Sequence, residues 1–237
     1  VTSIPAAPLL EAHLGAVHVW CSGRDAGNVG DHVGDDRATV ERNRRGVARA
    51  AGLPDPAAWM WLRQVHGARV HVAAGPAPPG NPPEADAAVT AVRGLPLAVV
   101  TADCAPLVLA SDDAVAVVHA GHRGLAAGVV EAAVAHVRAT GRSEVRAFLG
   151  PCIRAARYEF APGDLEPFVA RFGPSVASRT DSGRPALDIP AAIGIVLERL
   201  DVTALDDCRV CTASSPAYFS YRRDGRTGRQ ATVAMLA

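Results

Sequence analysis

The sequence predicts an α/β (α+β) fold built on mixed β-sheet, and three observations carry that expectation. Between residues 95 and 124, LPLAVVTADCAPLVLASDDAVAVVHAGHRG, three short apolar runs follow one another: Leu97 to Val100, Pro106 to Ala110 and Ala114 to Val118, with the turn signal Ser111-Asp112-Asp113 before the last. Such runs read as buried strands. Elsewhere apolar residues recur at helical spacing, as in Leu125, Val129, Ala133, Val134 and Val137. The two kinds of segment intermix without strict alternation, which favours a mixed sheet over a purely parallel one. A chain of 237 residues can bury a sizeable core, and residues 1–237 are expected to form a single domain.

Near the start, Val17 and Val19 alternate with polar or amphipathic neighbours in AVHVWCS, a strand-like period. Residues 23 to 36, GRDAGNVGDHVGDD, read as a Gly/Asp-rich surface loop. Asp35 or Asp36 then caps a helix from about Thr39 to Ala51, with Val40, Val47 and Ala51 on one face and Gly52 and Pro54 as the stop. Trp59 to Leu62 and Arg69 to Val72 read as short strands flanking Gln64-Val65-His66-Gly67, where Gly67 permits a tight turn beside His66. Residues 75 to 83, GPAPPGNPP, are too rich in proline for a central element and form an exposed loop, after which Ala87 to Thr90 resumes a strand. Beyond Gly124 one helix is expected as far as Arg138, ended by Thr140-Gly141. Val145 to Leu149 is a strand, Asp164 to Phe172 a short helix, and Pro190 opens another that reaches about Leu200. Tyr218 to Ala237 reads as a strand, a loop around Asp224 to Gly228, and a closing strand ATVAML.

Lys plus Arg equals Asp plus Glu, 24 of each, so the chain lacks the basic field on which non-specific nucleic-acid binding relies. The start shows no basic region ahead of an apolar core, and no apolar stretch has the length of a membrane span, so a soluble cytoplasmic protein is expected, with no membrane or nucleic-acid partner. Five cysteines, Cys21, Cys104, Cys152, Cys208 and Cys211, are an odd number in a chain of this size and read as reduced thiols.

Cys104 and His119 fall at strand ends, where the strand fixes the backbone and the following loop leaves the side chain accessible. With His66 they make a Cys and two His set suited to a soft-to-borderline metal, although their spacing alone does not join them, and a lone His or Cys is more often core or surface. Asp103 could serve as an acceptor behind the site or as a base, or bond to backbone at the strand end. Arg123 is an oxyanion or phosphate contact, or a structural ion pair. Cys208-Arg209-Val210-Cys211 has no second pair at zinc-ribbon spacing, and the TASSPA after it does not look helical, which argues against metal and thioredoxin-like roles. Cys152 in GPCI is placed near the pocket without a ligand role. Arg222, Arg223, Arg226 and Arg229 have few interleaved aromatics, so a charged edge that supports the pocket fits better than a nucleic-acid surface.

Five strings occur in an order that resembles a bacterial family long called polyphenol oxidase or laccase-domain proteins, also named peptidoglycan editing factor and purine nucleoside phosphorylase. They are RQVHG (Arg63 to Gly67), TADCAP (Thr101 to Pro106), VVHAGHRG (Val117 to Gly124), LGPCI (Leu149 to Ile153) and FSYRRDGRTGRQA (Phe219 to Ala231). Any one of them is weak, but the ordered set, spanning about Arg24 to the end, is specific. The resemblance implies layered mixed sheets flanked by helices and makes His66, Cys104 and His119 the metal ligands; Cys104 and His119, with Asp103 placed beside them by its position in the sequence, are the candidate catalytic group. It places an Asn-Arg pair near the pocket, so Arg44, otherwise a solvated helix residue, joins Arg123 and His122 as substrate-binding candidates. Two departures stand out. Loop 23 to 36 looks shortened, and His122 replaces the family's usual Trp, as a pocket wall or, less simply, as a fourth ligand.

The activity implied is zinc-dependent phosphorolysis of inosine- or adenosine-type nucleosides, with adenosine deamination as a second reaction. The partners are then a nucleoside and phosphate, and the protein a monomer or small homo-oligomer. Three alternatives remain. Cys104 and His119 could be the nucleophile and base of a hydrolase acting on peptidoglycan precursors. Zinc could be a structural staple in a binding module, closed by His122 or Cys152. A copper laccase fits worst, because none of the eight His forms a His-x-His pair, and only Met60 and Met235 could be weak axial ligands.

Overall fold

Strands β5, β6 and β7 are buried along their whole length, and the remaining elements are laid over their faces. In the computed structural model, which describes residues 9–141 and 143–237, the chain first runs β1 (Leu10–Leu14), β2 (Val17–Cys21), α1 (Arg37–Ala51), β3 (Val70–Val72) and β4 (Ala87–Thr90). Next come β5 (Leu97–Thr101), β6 (Ala105–Ala110), β7 (Val115–Ala120), α2 (His122–Ala127), α3 (Val129–Thr140) and β8 (Arg146–Leu149). Then follow α4 (Pro162–Phe172), β9 (Ala177–Arg179), β10 (Pro185–Leu187), α5 (Ile189–Arg199), β11 (Ala204–Asp207), α6 (Tyr221–Asp224) and β12 (Gln230–Leu236).

Two sheets carry the fold: a four-stranded antiparallel one in the order β1-β2-β12-β5, and a six-stranded one in the order β11-β8-β6-β7-β4-β3. The larger sheet is mixed, since β11 with β8 and β3 with β4 are parallel while the pairs between them are antiparallel. Strand alternation assigns the layers. Leu97 and Val99 of β5 meet Val108, Val115, Val117 and Phe148 between the two sheets. Leu107, Leu109, Ala116 and Val118 face the other way, into α3 and α5. Ala98, Val100, Ala231 and Val233 lie under α1 with Val47, Ala48 and Trp59. The result is helix, sheet, sheet, helices. A strand covered on both faces has no polar side to show, which is why β5 to β7 read as unbroken apolar runs. Among the described residues no helix is long and apolar enough to cross a membrane.

Several local expectations change. Asp36 caps α1, accepting from the Thr39 amide, but the buried face is Val40, Val47 and Ala48, with Ala51 only half-buried. Trp59 to Leu62 is not a strand. It touches β5 through a single bridge at Met60, and the Gln64 side-chain amide does the rest, donating to Val100 O and accepting from Val100 N, each at 2.8 Å. Phe219 likewise pairs with the side chain of Gln230 instead of forming a strand at Tyr218, and Ser220 then caps α6. The long helix after Gly124 is broken at Gly128, whose φ of 92° lets it end α2 and begin α3. β1, β9, β10 and β11 carry no sequence signal strong enough to have been read.

Leu97 is fully buried between the sheets, whereas Val72, on an edge strand, is 63 % exposed. Leu97→Ala should cost about 2–5 kcal/mol of unfolding free energy and Val72→Ala less than about 0.5 kcal/mol, both by urea denaturation. Equal effects would contradict the two-sheet core.

Candidate metal centre and its cavity

The trio assembles because two antiparallel strand ends are in register. Pro106 of β6 lies opposite His119 of β7, and Ala105 opposite Ala120. Cys104, two residues before Pro106, continues the face of Pro106, so Cys104 and His119 project from the same side of the six-stranded sheet, the side turned to β5. His66 arrives from the loop before β3. The ligand atoms of His66, Cys104 and His119 all lie within 4.8 Å of one another, with His66 exposed, Cys104 half-buried and His119 buried. Gly121 leaves the space between them: a Cβ there would stand 2.9 Å from Cys104 Sγ and 3.1 Å from His66 Cδ2. Gly124 does the same for the neighbouring loop, where a Cβ would meet Gly67 O at 2.8 Å.

A residue that no sequence pattern singles out holds this arrangement. Asp86, fully buried and one position ahead of β4, accepts from the amides of Val65, His66 and Gly67 at 3.2, 2.9 and 2.6 Å. Consecutive amides converging on one carboxylate are an anion nest, and they stabilise His66 in its left-handed conformation at φ 60°. The same carboxylate takes His119 Nδ1–H at 2.8 Å, which leaves His119 Nε2 as the ligand atom. One group thus fixes the loop that carries one ligand and the ring orientation of another. Burial alone would raise the Asp86 carboxyl, yet the His119 contact and the Gly67 and His66 amides outweigh it and hold it below the ordinary carboxylate range.

Without a metal, Cys104 and His119 are coupled as a thiolate and an imidazolium, and a metal would take the place of the His119 Nε2 proton. Burial pushes the Cys104 thiol up, but the His119 charge and hydrogen bonds from His119 and His66 more than reverse this and bring it down. His119 moves the other way: burial lowers it, and Cys104 and Asp86 raise it above its usual value. A thiolate and two imidazoles, one already oriented through its second nitrogen, fit a divalent metal of the zinc or copper kind. Ligand atoms on one tetrahedral ion stand about 3.3–3.8 Å apart, so the trio needs only a small contraction.

The trio lies on the wall of a cavity of about 1150 Å³, lined also by Arg44, Trp61, Thr101, Tyr158, Tyr221 and Arg229. His122 and Arg123 line it too, and His122 stands outside the trio: its ring meets Tyr158 OH at 3.1 Å and packs edge-on against Phe160. Arg123 is exposed, and among the described residues no carboxylate pairs with it, so the ion-pair alternative has no counterpart. Arg44 is anchored, not solvated: its Nε donates to Val29 O at 2.9 Å and its guanidinium lies 4.0 Å above the Trp61 ring.

Asp103 engages its carboxylate as an acceptor. Its oxygens accept from Thr212 Oγ1 and Arg222 N, both at 2.6 Å, and its carbonyl accepts from Ile153 N, so it ties three segments together beside Cys104. Cys152 is buried in the helix-side core, and burial raises its thiol; its neighbour Ile153, not Cys152 itself, lines the cavity. Arg209 of the CxxC is in a left-handed turn and the residues after Cys211 are turns, not helix.

A family model described as multi-copper polyphenol oxidoreductase laccase matches residues 19–237. A purine nucleoside phosphorylase of Streptomyces coelicolor is 44 % identical over 213 residues, 88 % of this chain and 87 % of the relative. One of Streptomyces griseus is 45 % identical over 214 residues, covering 88 % and 86 %. The crystal structure of a Neisseria meningitidis protein superposes with a TM-score of 0.83 at 32 % identity, covering 96 % of this chain and 98 % of that one.

If Asp86 organises the centre, Asp86→Asn should stay folded but bind added zinc about 10- to 100-fold more weakly, because the amide cannot serve both His119 and the nest as the carboxylate does. Competition with a fluorescent chelator measures this, and wild-type affinity in the variant would remove the role.

Proposed function

The chain belongs to the family described as multi-copper polyphenol oxidoreductase laccase, and from that membership we propose that it is a purine nucleoside phosphorylase that holds zinc through His66, Cys104 and His119. The observation that carries the reading is the position of the trio on an open cavity wall rather than inside the core. Three protein ligands leave a position facing the cavity, whereas a structural staple is closed by four. The cavity is of the size that takes a small molecule, and relatives 44 and 45 % identical bear the name purine nucleoside phosphorylase. The copper of the family's description is less well matched, since neither Met60, in the inter-sheet core, nor Met235 lines the cavity as a long axial ligand would. A nucleoside and phosphate, and a cytoplasmic setting with reduced thiols, complete the proposal.

In phosphorolysis a phosphate oxygen forms the bond to the anomeric carbon as the bond to the purine nitrogen breaks, and the base leaves with a proton. Zinc, when bound, supplies positive charge beside a polar group of the substrate. Tyr221, exposed on the cavity wall, offers a flat face for the base. His122, held by Tyr158, presents its other ring nitrogen as a hydrogen-bond partner for a base edge, and Arg44 and Arg123 supply donors along the wall. Asp103 contributes by fixing the backbone of Cys104, not by moving a proton. A second reading, a hydrolase with Cys104 as nucleophile and His119 as base, is favoured by their mutual contact and the lowered thiol, and it requires both to be free of metal.

Inosine or adenosine should give free base and ribose 1-phosphate, with turnover that rises and saturates with phosphate. Base release unchanged in phosphate-free buffer would sink the assignment, and ammonia from adenosine in that buffer would identify deamination. Cys104→Ser should lose both zinc and turnover; retained zinc in that variant would point to the hydrolase. His122→Trp should keep its zinc and shift the nucleoside KM, whereas loss of zinc would make His122 a ligand.

A further inference from the structure

The wall supplied by the four-stranded sheet carries a cation that has no ion-pair partner among the described residues. Arg229 immediately precedes β12, is half-buried and lines the cavity. Its Nη1 donates to two carbonyls of its own loop, Thr227 O at 2.8 Å and Gly228 O at 3.0 Å, which carry no formal charge. Arg24, Arg44, Arg63, Arg154 and Arg223 each have a carboxylate within ion-pair distance, but among the described residues Arg229 has none. Burial pulls its guanidinium below the ordinary value, opposed by Cys104 and Asp103. A desolvated cation without an anion is costly, and a fold that keeps one in a cavity wall marks a ligand position.

Its placement is built. The Arg229 amide donates to Asn28 Oδ1 at 2.8 Å, and its carbonyl accepts from Val29 N at 3.0 Å. Its side chain passes over Gly30, where a Cβ would stand 2.7 Å from Arg229 Cγ. The Gly/Asp-rich loop therefore sets the course of this arginine. On the neighbouring strand, Thr101 pairs in register with Gln230, the residue after Arg229. Thr101 is 2 % exposed, its hydroxyl has no hydrogen-bond partner, and it lines the same cavity. On β5 it continues the face of Leu97 and Val99, which is turned towards the sheet that bears the trio. A buried hydroxyl without a partner destabilises the fold unless a ligand satisfies it.

We propose that Arg229 and Thr101 form an oxyanion site that binds inorganic phosphate across the cavity from His66, Cys104 and His119. The free edge of the guanidinium grips two phosphate oxygens and the hydroxyl donates to one, so that the anion faces the nucleoside from the wall opposite the metal ligands. Its part in turnover rests on the phosphorylase reading, but its occupancy does not.

Calorimetric titration of inorganic phosphate into the zinc-loaded protein tests occupancy, and steady-state kinetics tests use. Arg229→Gln should weaken phosphate binding and raise the phosphate KM by about ten- to a hundredfold, the loss of one charge-assisted contact, with a much smaller change in nucleoside KM. Thr101→Val should weaken phosphate in the same direction, Thr101→Ser should restore it, and Arg229→Lys, with circular dichroism as a fold check, should restore part. Phosphate that binds in an Arg229-dependent way without phosphorolysis would keep the site and reject the reaction. Phosphorolysis with an unchanged phosphate KM in folded Arg229→Gln, or no phosphate binding to the wild type, would overturn the site.

Discussion

The carboxylate of Asp86 is the constraint on which the centre depends. His66, Cys104 and His119 come from a loop, the lead into β6 and the end of β7, and nothing local to any of them would hold it near the others. Asp86 joins the loop to the strand by accepting from three backbone amides and from His119 at once. Bonds to an ionised buried group are among the stronger ones available, about 1.5–3 kcal/mol each, and leaving such a group without its partners costs more. The strained backbone of His66 persists because that network over-determines it. Cys104 needs no such help, since the register of β6 and β7 already places it beside His119, and Gly121 keeps the gap between them clear.

The cavity follows from the layering. Between the sheets the core is filled by Val, Leu and Phe, but at the end where β5 stops and β6 begins the chain crosses from one sheet to the other through Ala102, Asp103 and Cys104. Of these Cys104 is partly accessible, and Asp103 fastens the crossing to Thr212 and to the start of α6. Rigid strands present the candidate ligands, and Thr101 and Arg229 line the same cavity.

How much of this could be read from the sequence depends on how far each signal reaches. β5, β6 and β7 were legible because burial on both faces leaves an unbroken apolar run, and α1 because Asp36 and Gly52 mark its ends. Trp59 to Leu62 and Tyr218 misled because Gln64 and Gln230 satisfy backbone groups with their side-chain amides, and a local pattern cannot distinguish that from a paired strand. The ligand trio came from a resemblance and not from spacing, since the contacts that unite it are long-range. Asp86 was missed for the same reason: one acidic residue ahead of an apolar strand is ordinary, and its partners lie about twenty and about thirty residues away. Arg229 was read as one of an arginine cluster, and only the tertiary structure shows that its neighbours Arg223 and Arg226 are engaged elsewhere.

The central claim, a metal held by one sulfur and two imidazoles with a position open to the cavity, is tested most directly by X-ray absorption at the zinc edge of the purified protein. The account predicts one sulfur at about 2.3 Å, two imidazole nitrogens at about 2.0 Å and one further light scatterer. Two or more sulfurs, which would bring in Cys208 and Cys211, or a shell closed by a third imidazole, would contradict it.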